Sequence, residues 1–404
     1  MKKKICLIGL MLSMAFATAC SKNEKAKSTD ATPVESTEDK SENTSEKETE
    51  PETTPEPFIA AEVNIMMVGD VLIHETARDS GKKSDGTYNY DHFFRMITDE
   101  LAWGDINIVN QEVILGGKDL GLTCYPQFNG AYELGDSLAN VGFNVVLHAT
   151  NHTMDKWEKG VNNCIEFWKT HPEVAVLGIN ETPEDAEEIY VYEKYGIKIA
   201  ILNYTYGTNG IPLPEDRPYL VNLLEEERVI NDLKKAEEIA DFTVVCPHWG
   251  SEYTHTPTEH ETYWAEIFIE NGADLIIGTH PHVIQPVEWV ESTNGNKALV
   301  YWSLGNFVSN QDLSRTMLEA MAKVTVTNDR DGNVFIKDYE VQPLVNHYVR
   351  GEGKMCAYKI EDYNEDLASV NRIHVWKDGS KFSHQYCIDL AEEVFGDEWN
   401  YNEE

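Results

Sequence analysis

Residues 273–288, ADLIIGTHPHVIQPVE, pass from an apolar run, Leu275-Ile276-Ile277, through Gly278-Thr279 into two histidines separated by a proline, His280-Pro281-His282. A short apolar run bounded by turn residues reads as a buried strand. Pro281 restricts the backbone between the imidazoles, so this strand ends in a pair of potential metal ligands. Four other apolar runs end in the same way: EVNIMMVGD in Asp70, DINIVNQE in Glu112, FNVVLHATNH in Asn151-His152, and DFTVVCPHWG at His248. The carboxyl ends of strands form the ligand-binding edge of α/β sheets. If these strands are neighbours, their polar ends converge.

Taken singly, each residue has an ordinary explanation. Asp70 and Glu112 can close turns, Asn151-His152 can cap the helix that follows, and a lone His248 is more often a satisfied core histidine. Their joint placement favours a metal site. Two carboxylates, imidazoles and an amide make a mixed O/N donor set suited to Mn, Zn, Fe or similar divalent ions. The lack of thiolate argues against structural zinc. Gly69, Gly250, Gly278 and Gly305 adjoin these positions, where close backbone approach is expected. Trp249 and Tyr253 read as core or pocket wall, and His74, His255 and His260 as exposed or supporting residues. Asn306, in SLGNF, is expected to orient a ligand by hydrogen bonding behind it.

Between the apolar runs lie stretches with helical periodicity: residues 91–102 (DHFFRMITDELA), 134–142, 157–170, 223–240 and 254–272. This alternation predicts an α/β domain with a partly parallel sheet. Residues 190–206, YVYEKYGIKIAILNYTY, instead predict a hairpin around Tyr195-Gly196. QPVEWV, KALVYWSLGNF, AMAKVTVTND and NVFIKDYEVQP predict four further strands, so a mixed two-sheet sandwich fits better than a doubly wound sheet. Residues 344–404 are polar and Tyr-rich, with one expected helix at CIDLAEEVF, and form an extension without an assigned role.

At the other end, MKKKICLIGLMLSMAFATAC has the basic start, apolar run and small residues of a secretory signal. Residues 21–57 are Glu, Ser, Thr, Lys and Pro with almost no large apolar side chain, and read as an acidic tether that cannot offset chain entropy. The formal net charge is −37; residues 21–57 hold 11 acidic and 5 basic side chains and the first 20 hold three lysines, which leaves −34 on residues 58–404. Such a field disfavours nucleic acid and other polyanions. Of seven cysteines, Cys124, Cys164, Cys246, Cys356 and Cys387 lie in the expected domain without close spacing, so no zinc knuckle or disulfide framework is indicated.

Two resemblances build on these motifs. FATAC resembles a bacterial lipobox, which implies cleavage before Cys20 and lipid on its thiol. VGDVLIH, NIVNQE, GFNVVLHATNHTMDKWEKG, HWGSEYTHTP, IIGTHPHVIQPVE and YWSLGNF, in this order, resemble the bacterial capsule-synthesis CapA family, associated with poly-gamma-glutamate, within the calcineurin-like metallophosphoesterase superfamily. The resemblance implies a four-layer α/β/β/α sandwich over residues 58–343. It implies one or two divalent ions, makes Asp70, Asn151, His248, His280 and His282 metal-ligand candidates, with Glu112 in place of a second aspartate, and puts His152 at the leaving group. Several positions depart from the pattern: the first histidine after Asp70 is His74 rather than one two residues on, and Gln111 and Thr150 replace commoner residues.

Two functions follow as expectations. The first is a lipid-anchored, extracytoplasmic metal-dependent hydrolase acting on an envelope polymer or its phosphorylated precursor. The second is a non-catalytic accessory protein that binds poly-gamma-glutamate or the membrane-bound synthesis machinery and aids export. A solute-binding lipoprotein is a third, and leaves the histidine-rich strand ends unexplained.

Overall fold

Eleven residues, EVNIMMVGDVL, form β1 (Glu62–Leu72), and nearly all of them are buried. A strand apolar on both faces belongs in the middle of a layered α/β structure. The computed structural model, which describes residues 58–373, 381–399 and 401, places it there. On one side β1 pairs in parallel with β2 (Ile106–Asn110), which continues through β3 (Val145–Leu147) to β4 (Ala175–Leu177), also parallel. Helices Tyr132–Val141 and Trp157–Trp168 make the crossovers around β3.

The second sheet starts with a hairpin, β5 (Tyr190–Lys194) and β6 (Ile197–Thr205). Tyr195 and Gly196 both have positive φ, 55° and 82°, the backbone a tight two-residue hairpin turn demands. β7 (Phe242–His248) and β8 (Leu275–Ile277) add in parallel, followed by the antiparallel pair β9 (Val287–Glu291) and β10 (Lys297–Tyr301), of which β10 lies parallel to β8. The chain then returns to the first sheet. β11 (Asn306–Ser309) runs parallel to the end of β1, and β12 (Leu318–Asn328), β13 (Val334–His347) and β14 (Cys356–Lys359) complete that sheet as an antiparallel series.

Strand alternation decides the layers. On β6 and β7, Ile199, Ile201, Val244 and Cys246 face the first sheet, and Cys246 Sγ lies 3.8 Å from Met67 Sδ across the gap. Ala200, Leu202, Tyr204 and Val245 face the other way, onto Val229, Leu233 and Ala236 of helix Glu226–Ile239 and Trp264 and Phe268 of helix Glu259–Glu270. With the crossover helices on the outer face of the first sheet, the protein is an α/β/β/α sandwich of two mixed sheets. Each fully buried Val, Leu, Ile or Phe contributes about 1.5–3 kcal/mol.

Three details differ from expectation. KALVYWSLGNF is two strands in different sheets, because Gly305 (φ 69°) turns the chain between Tyr301 and Asn306 and carries it across the gap. Residues 91–102 are a three-residue turn, Asp91–Phe93, and a short helix, Thr98–Trp103. The Phe94 ring stacks on Phe307 of β11 at 5.8 Å, and this tertiary contact holds the intervening chain in i to i+3 turns instead of a continuous helix. The expected boundary at residue 343 falls inside β13, which pairs with β14, so the described residues after 343 continue the same compact unit. Residues 1–57, with the expected signal, Cys20 and tether, lie outside the described residues. The five described cysteines are free and buried, and no described helix is long and apolar enough to cross a membrane.

β1 changes partner from β12 to β11 at Gly69. There the Gly305 carbonyl accepts from Asp70 N at 2.9 Å, and a Cβ on Gly69 would lie 1.9 Å from that oxygen. Gly69→Ala should therefore force the two backbones apart and destabilise the fold by about 1–3 kcal/mol or more; equilibrium urea denaturation with an unchanged midpoint would contradict this close approach.

Candidate metal centre

The two sheets present their strand ends at one edge. Asp70 ends the pairing of β1 with β2, Glu112 follows β2, Asn151 and His152 follow β3, His248 closes β7, and His280 and His282 follow β8. Asn306 opens β11 and pairs with Asp70. All eight are buried. The crossing at Gly305 brings Asn306 in, and the His248–Thr279 bridge sets the His280 loop beside β7. His280 and His282 have φ of 98° and 59°. Two non-glycine residues held there cost of order 1–3 kcal/mol each and are found where function over-determines the backbone.

Hydrogen bonding divides these groups into two sets. Asp70 is engaged on both oxygens: Asn110 Nδ2 donates to Oδ1 at 2.7 Å, and Oδ2 lies 3.3 Å from His280 N and 3.1 Å from His282 Nδ1. His248 is engaged on both nitrogens, with Thr279 Oγ1 at 3.0 Å from Nδ1 and Asn151 Oδ1 at 3.0 Å from Nε2. Asn306 Oδ1 lies 3.1 Å from His282 Nδ1. By contrast, both Glu112 oxygens and His280 Nδ1 are buried with no hydrogen-bond partner among the described residues. Glu112, His280 and His282 offer ligand atoms within 4.8 Å of one another. Glu112 Oε1 lies 3.8 Å from His282 Nε2 and 3.8 Å from His248 Nε2.

These separations fit an ion. Two donors bound about 2.0–2.2 Å from one metal stand roughly 3–4 Å apart, and a buried carboxylate with both oxygens unpaired is costly unless a cation meets it. Electrostatics agree. Burial pushes the Glu112 carboxyl well above the usual range, against the pull of His282. Burial also opposes protonation of His282, but Glu112 and Asp70 outweigh it and raise the imidazole to about 9. The two carboxylates thus call for a positive charge at this place, and a divalent ion supplies one. Burial holds His248 and His280 well below the ordinary imidazole value, so both are neutral, the form that donates a lone pair to metal.

His152 stands apart from the free donor set. Its Nδ1 lies 2.7 Å from Asp155 Oδ2, which also accepts from Phe128 N at 2.6 Å, and the Phe128 ring packs edge-on to the imidazole at 4.7 Å. With Nδ1–H given to Asp155, Nε2 is the nitrogen left for proton exchange. The sequence reading missed Asp155, although its position three residues after His152 is a signal of such a pair. It also missed Asn110, which bridges Asp70 and His248 Nδ1 (3.3 Å) and stands in the same NIVNQE motif as Glu112. Asn209, which reaches both Asn151 and His152, comes from the loop after β6, where nothing in the sequence marks it. Trp249 is core, its indole donating to the Trp302 carbonyl at 3.0 Å. His74 Nδ1 meets the Leu72 carbonyl, His255 Nδ1 the Ile284 carbonyl, and His260 the Trp264 indole.

Comparison with known proteins gives the following. A family model described as bacterial capsule synthesis protein PGA_cap matches residues 64–311, more than half the chain. PGA biosynthesis protein CapA of Bacillus subtilis (strain 168) is 30% identical over 213 residues, 52% of this chain and 53% of the relative. Capsule biosynthesis protein CapA of Bacillus anthracis is 27% identical over 297 residues, 70% of this chain and 67% of that one. The chain thus spans about half the length of the first relative and two thirds of the second. Among solved structures, a putative 5'-nucleotidase from Staphylococcus aureus, in complex with alpha-ketoglutarate, aligns with a TM-score of 0.43 at 15% identity, covering 71% of this chain and 55% of that one. The NAD nucleotidase of Haemophilus influenzae aligns with a TM-score of 0.45 at 11% identity, covering 84% and 58%.

Proposed function

Because the chain belongs to the bacterial capsule synthesis family of PGA_cap, we propose that its sheet-edge site is the divalent-metal centre of a hydrolase acting on an envelope polymer, such as poly-gamma-glutamate, or on a phosphorylated precursor. The observation that carries this reading is the buried Glu112 carboxylate, unpartnered on both oxygens, beside His280 and His282. Glu112, His280 and His282 would hold the ion. Asp70 and Asn306 fix the orientation of His282 through Nδ1, and Asn151 and Thr279 do the same for His248. A bound divalent ion supplies Lewis acidity and lowers the pKa of water.

His152 is the proton-handling residue of this reading. Asp155 anchors its Nδ1–H, so that Nε2 can hold a proton for a departing group. Asp155→Asn keeps an acceptor for Phe128 N but allows the opposite imidazole tautomer. We expect it to lower turnover by about 10–100-fold while metal content stays as in the parent chain; full activity in Asp155→Asn would remove the pair from the mechanism.

The same reading places the domain outside the cell membrane, held by lipid on Cys20 across the residue 21–57 tether, among the synthesis proteins of the envelope. Metabolic lipid labelling that does not depend on Cys20 would refute the anchor. For the hydrolase itself the test is elemental analysis of the purified chain followed by assay on phosphoesters and gamma-linked peptides. A chain without metal and without turnover would make it an accessory that binds polymer or synthesis machinery.

A further inference from the structure

Four arginines are half-buried among the described residues: Arg78, Arg217, Arg228 and Arg315. The first three each hold a carboxylate, Asp79 at 2.9 Å, Glu158 at 2.8 Å and Asp232 at 3.5 Å. Arg315 holds none among the described residues, although the folded part of the chain is strongly acidic. Its Nε is buried and has no hydrogen-bond partner among the described residues, and its guanidinium lies over the Tyr253 ring, 5.8 Å from the centroid. A guanidinium that is stacked, partly desolvated and left without an anion is pre-organised to bind one, because its planar fork matches carboxylate and phosphate.

The position of Arg315 ties this vacancy of charge to the candidate metal centre. Tyr253 is held at φ 64°, and its ring centroid is 6.0 Å from that of His282. Gln311 Nε2 donates to Tyr253 Oη at 3.2 Å, Asn306 Nδ2 donates to Gln311 Oε1 at 2.9 Å, and Asn306 Oδ1 is the partner of His282 Nδ1. Asn306 Nδ2 also reaches the carbonyl of Thr316, the residue after Arg315, at 3.3 Å. The turn that carries Arg315 is therefore braced by the same asparagine that orients a candidate ligand. Tyr253, exposed enough to meet solvent, forms the step between them.

We infer that Arg315, stacked on Tyr253, is the anion-recognising residue of this site and binds a carboxylate or phosphate group of the substrate. The inference rests on the reading of the sheet edge as the reacting centre, and it names the substrate class as anionic. It also resolves how a domain of strongly negative charge engages such a substrate: repulsion from the surface is met at one point by a cation that no carboxylate among the described residues neutralises. Long-range repulsion keeps the interaction local and dependent on ionic strength.

The test is calorimetric titration of the purified full chain with inorganic phosphate and, separately, with glutarate, at low salt. Arg315→Met keeps the stem over Tyr253 and removes the charge, and Arg315→Lys restores charge without the fork. At least one probe should bind the parent chain, with affinity reduced about tenfold in Arg315→Met and partly recovered in Arg315→Lys. The probe that responds assigns the group, phosphate or carboxylate. Metal content should be the same in all three proteins. Equal binding by parent and Arg315→Met, or no binding of either probe to the parent, overturns the inference. Anion binding that depends on Arg315 in a chain without metal would uphold it and instead remove the hydrolase reading.

Discussion

Glu112→Gln should strip the purified chain of its divalent metal, where the parent carries a stoichiometric amount, and hydrolysis should fall below detection with it. The amide removes the charge that the site's two histidines cannot replace, and ligands of a transition-metal site act as a unit. His280→Ala/His282→Ala should do the same. Asp70→Asn should behave differently. Both Asp70 oxygens are already engaged with Asn110, His280 N and His282 Nδ1, so its change should weaken the metal about 10–100-fold, as expected for a group that orients a ligand. Equal, complete loss in Asp70→Asn would instead make it a direct ligand. Stability should separate the cases further. In metal-free protein Glu112 is a buried group without a partner, so Glu112→Gln should leave the apo-protein as stable as the parent or more so, by about 1–3 kcal/mol, while the metal-loaded parent stays the most stable of all. Inductively coupled plasma analysis and thermal melts, with and without chelator, read both effects.

Acid should unfold the protein, and His148 should account for a measurable share. It follows β3, is fully buried, and accepts a hydrogen bond from Trp168 Nε1 at 2.9 Å. Burial holds its imidazole down at about 3. Below the ordinary value near 6.5 the unfolded chain binds a proton that the folded chain refuses, so stability falls as pH falls, by up to about 1.4 kcal/mol per pH unit for each such group. For His148 the loss accumulates to about 4–5 kcal/mol by pH 3. Burial likewise holds His74, His92 and His347 at about 4, and they act in the same direction. Burial raises Asp274 to about 7 and pushes Glu112 and Glu319 well up. These three work oppositely, adding stability as pH falls from about 7 towards the unfolded carboxyl value near 4. Burial of His248 and His280 adds to the loss, so the stability curve should decline between pH 6.5 and about 4.5, where the three carboxyl groups offset part of it, and more steeply below. His148→Gln retains an acceptor for Trp168 and does not titrate, so the difference between variant and parent should change by up to about 1.4 kcal/mol per pH unit in this range. A pH-independent difference in urea denaturation would mean that His148 titrates normally in the folded protein.

Much of the architecture is legible without coordinates, because strand-forming runs here are short, apolar and closed by glycine or a polar pair. β1, β6, β7 and β8 announce themselves in this way, and two strand-like runs joined at Gly196 mark the hairpin. The candidate donors are legible for the same reason: strand periodicity and the carboxyl-edge rule place Asp70, Glu112, Asn151, His248, His280 and His282 at one edge before any distance is known. Two things depend on distances between chain segments far apart in sequence. One is sheet membership. KALVYWSLGNF has a single apolar pattern, and the positive φ at Gly305 sends its two halves into different sheets, which puts Asn306 beside Asp70. The other is which donors are free. Glu112 and Asp70 look alike as carboxylates at strand ends, yet Asn110, His280 and His282 engage one, while no group among the described residues hydrogen-bonds the other and the imidazoles of His248 and His282 stop 3.8 Å short of it. Residue type and order therefore determine what chemistry the strand ends can supply, whereas only tertiary packing, by satisfying some polar atoms and leaving others bare, decides which candidate donors are already engaged and which are free.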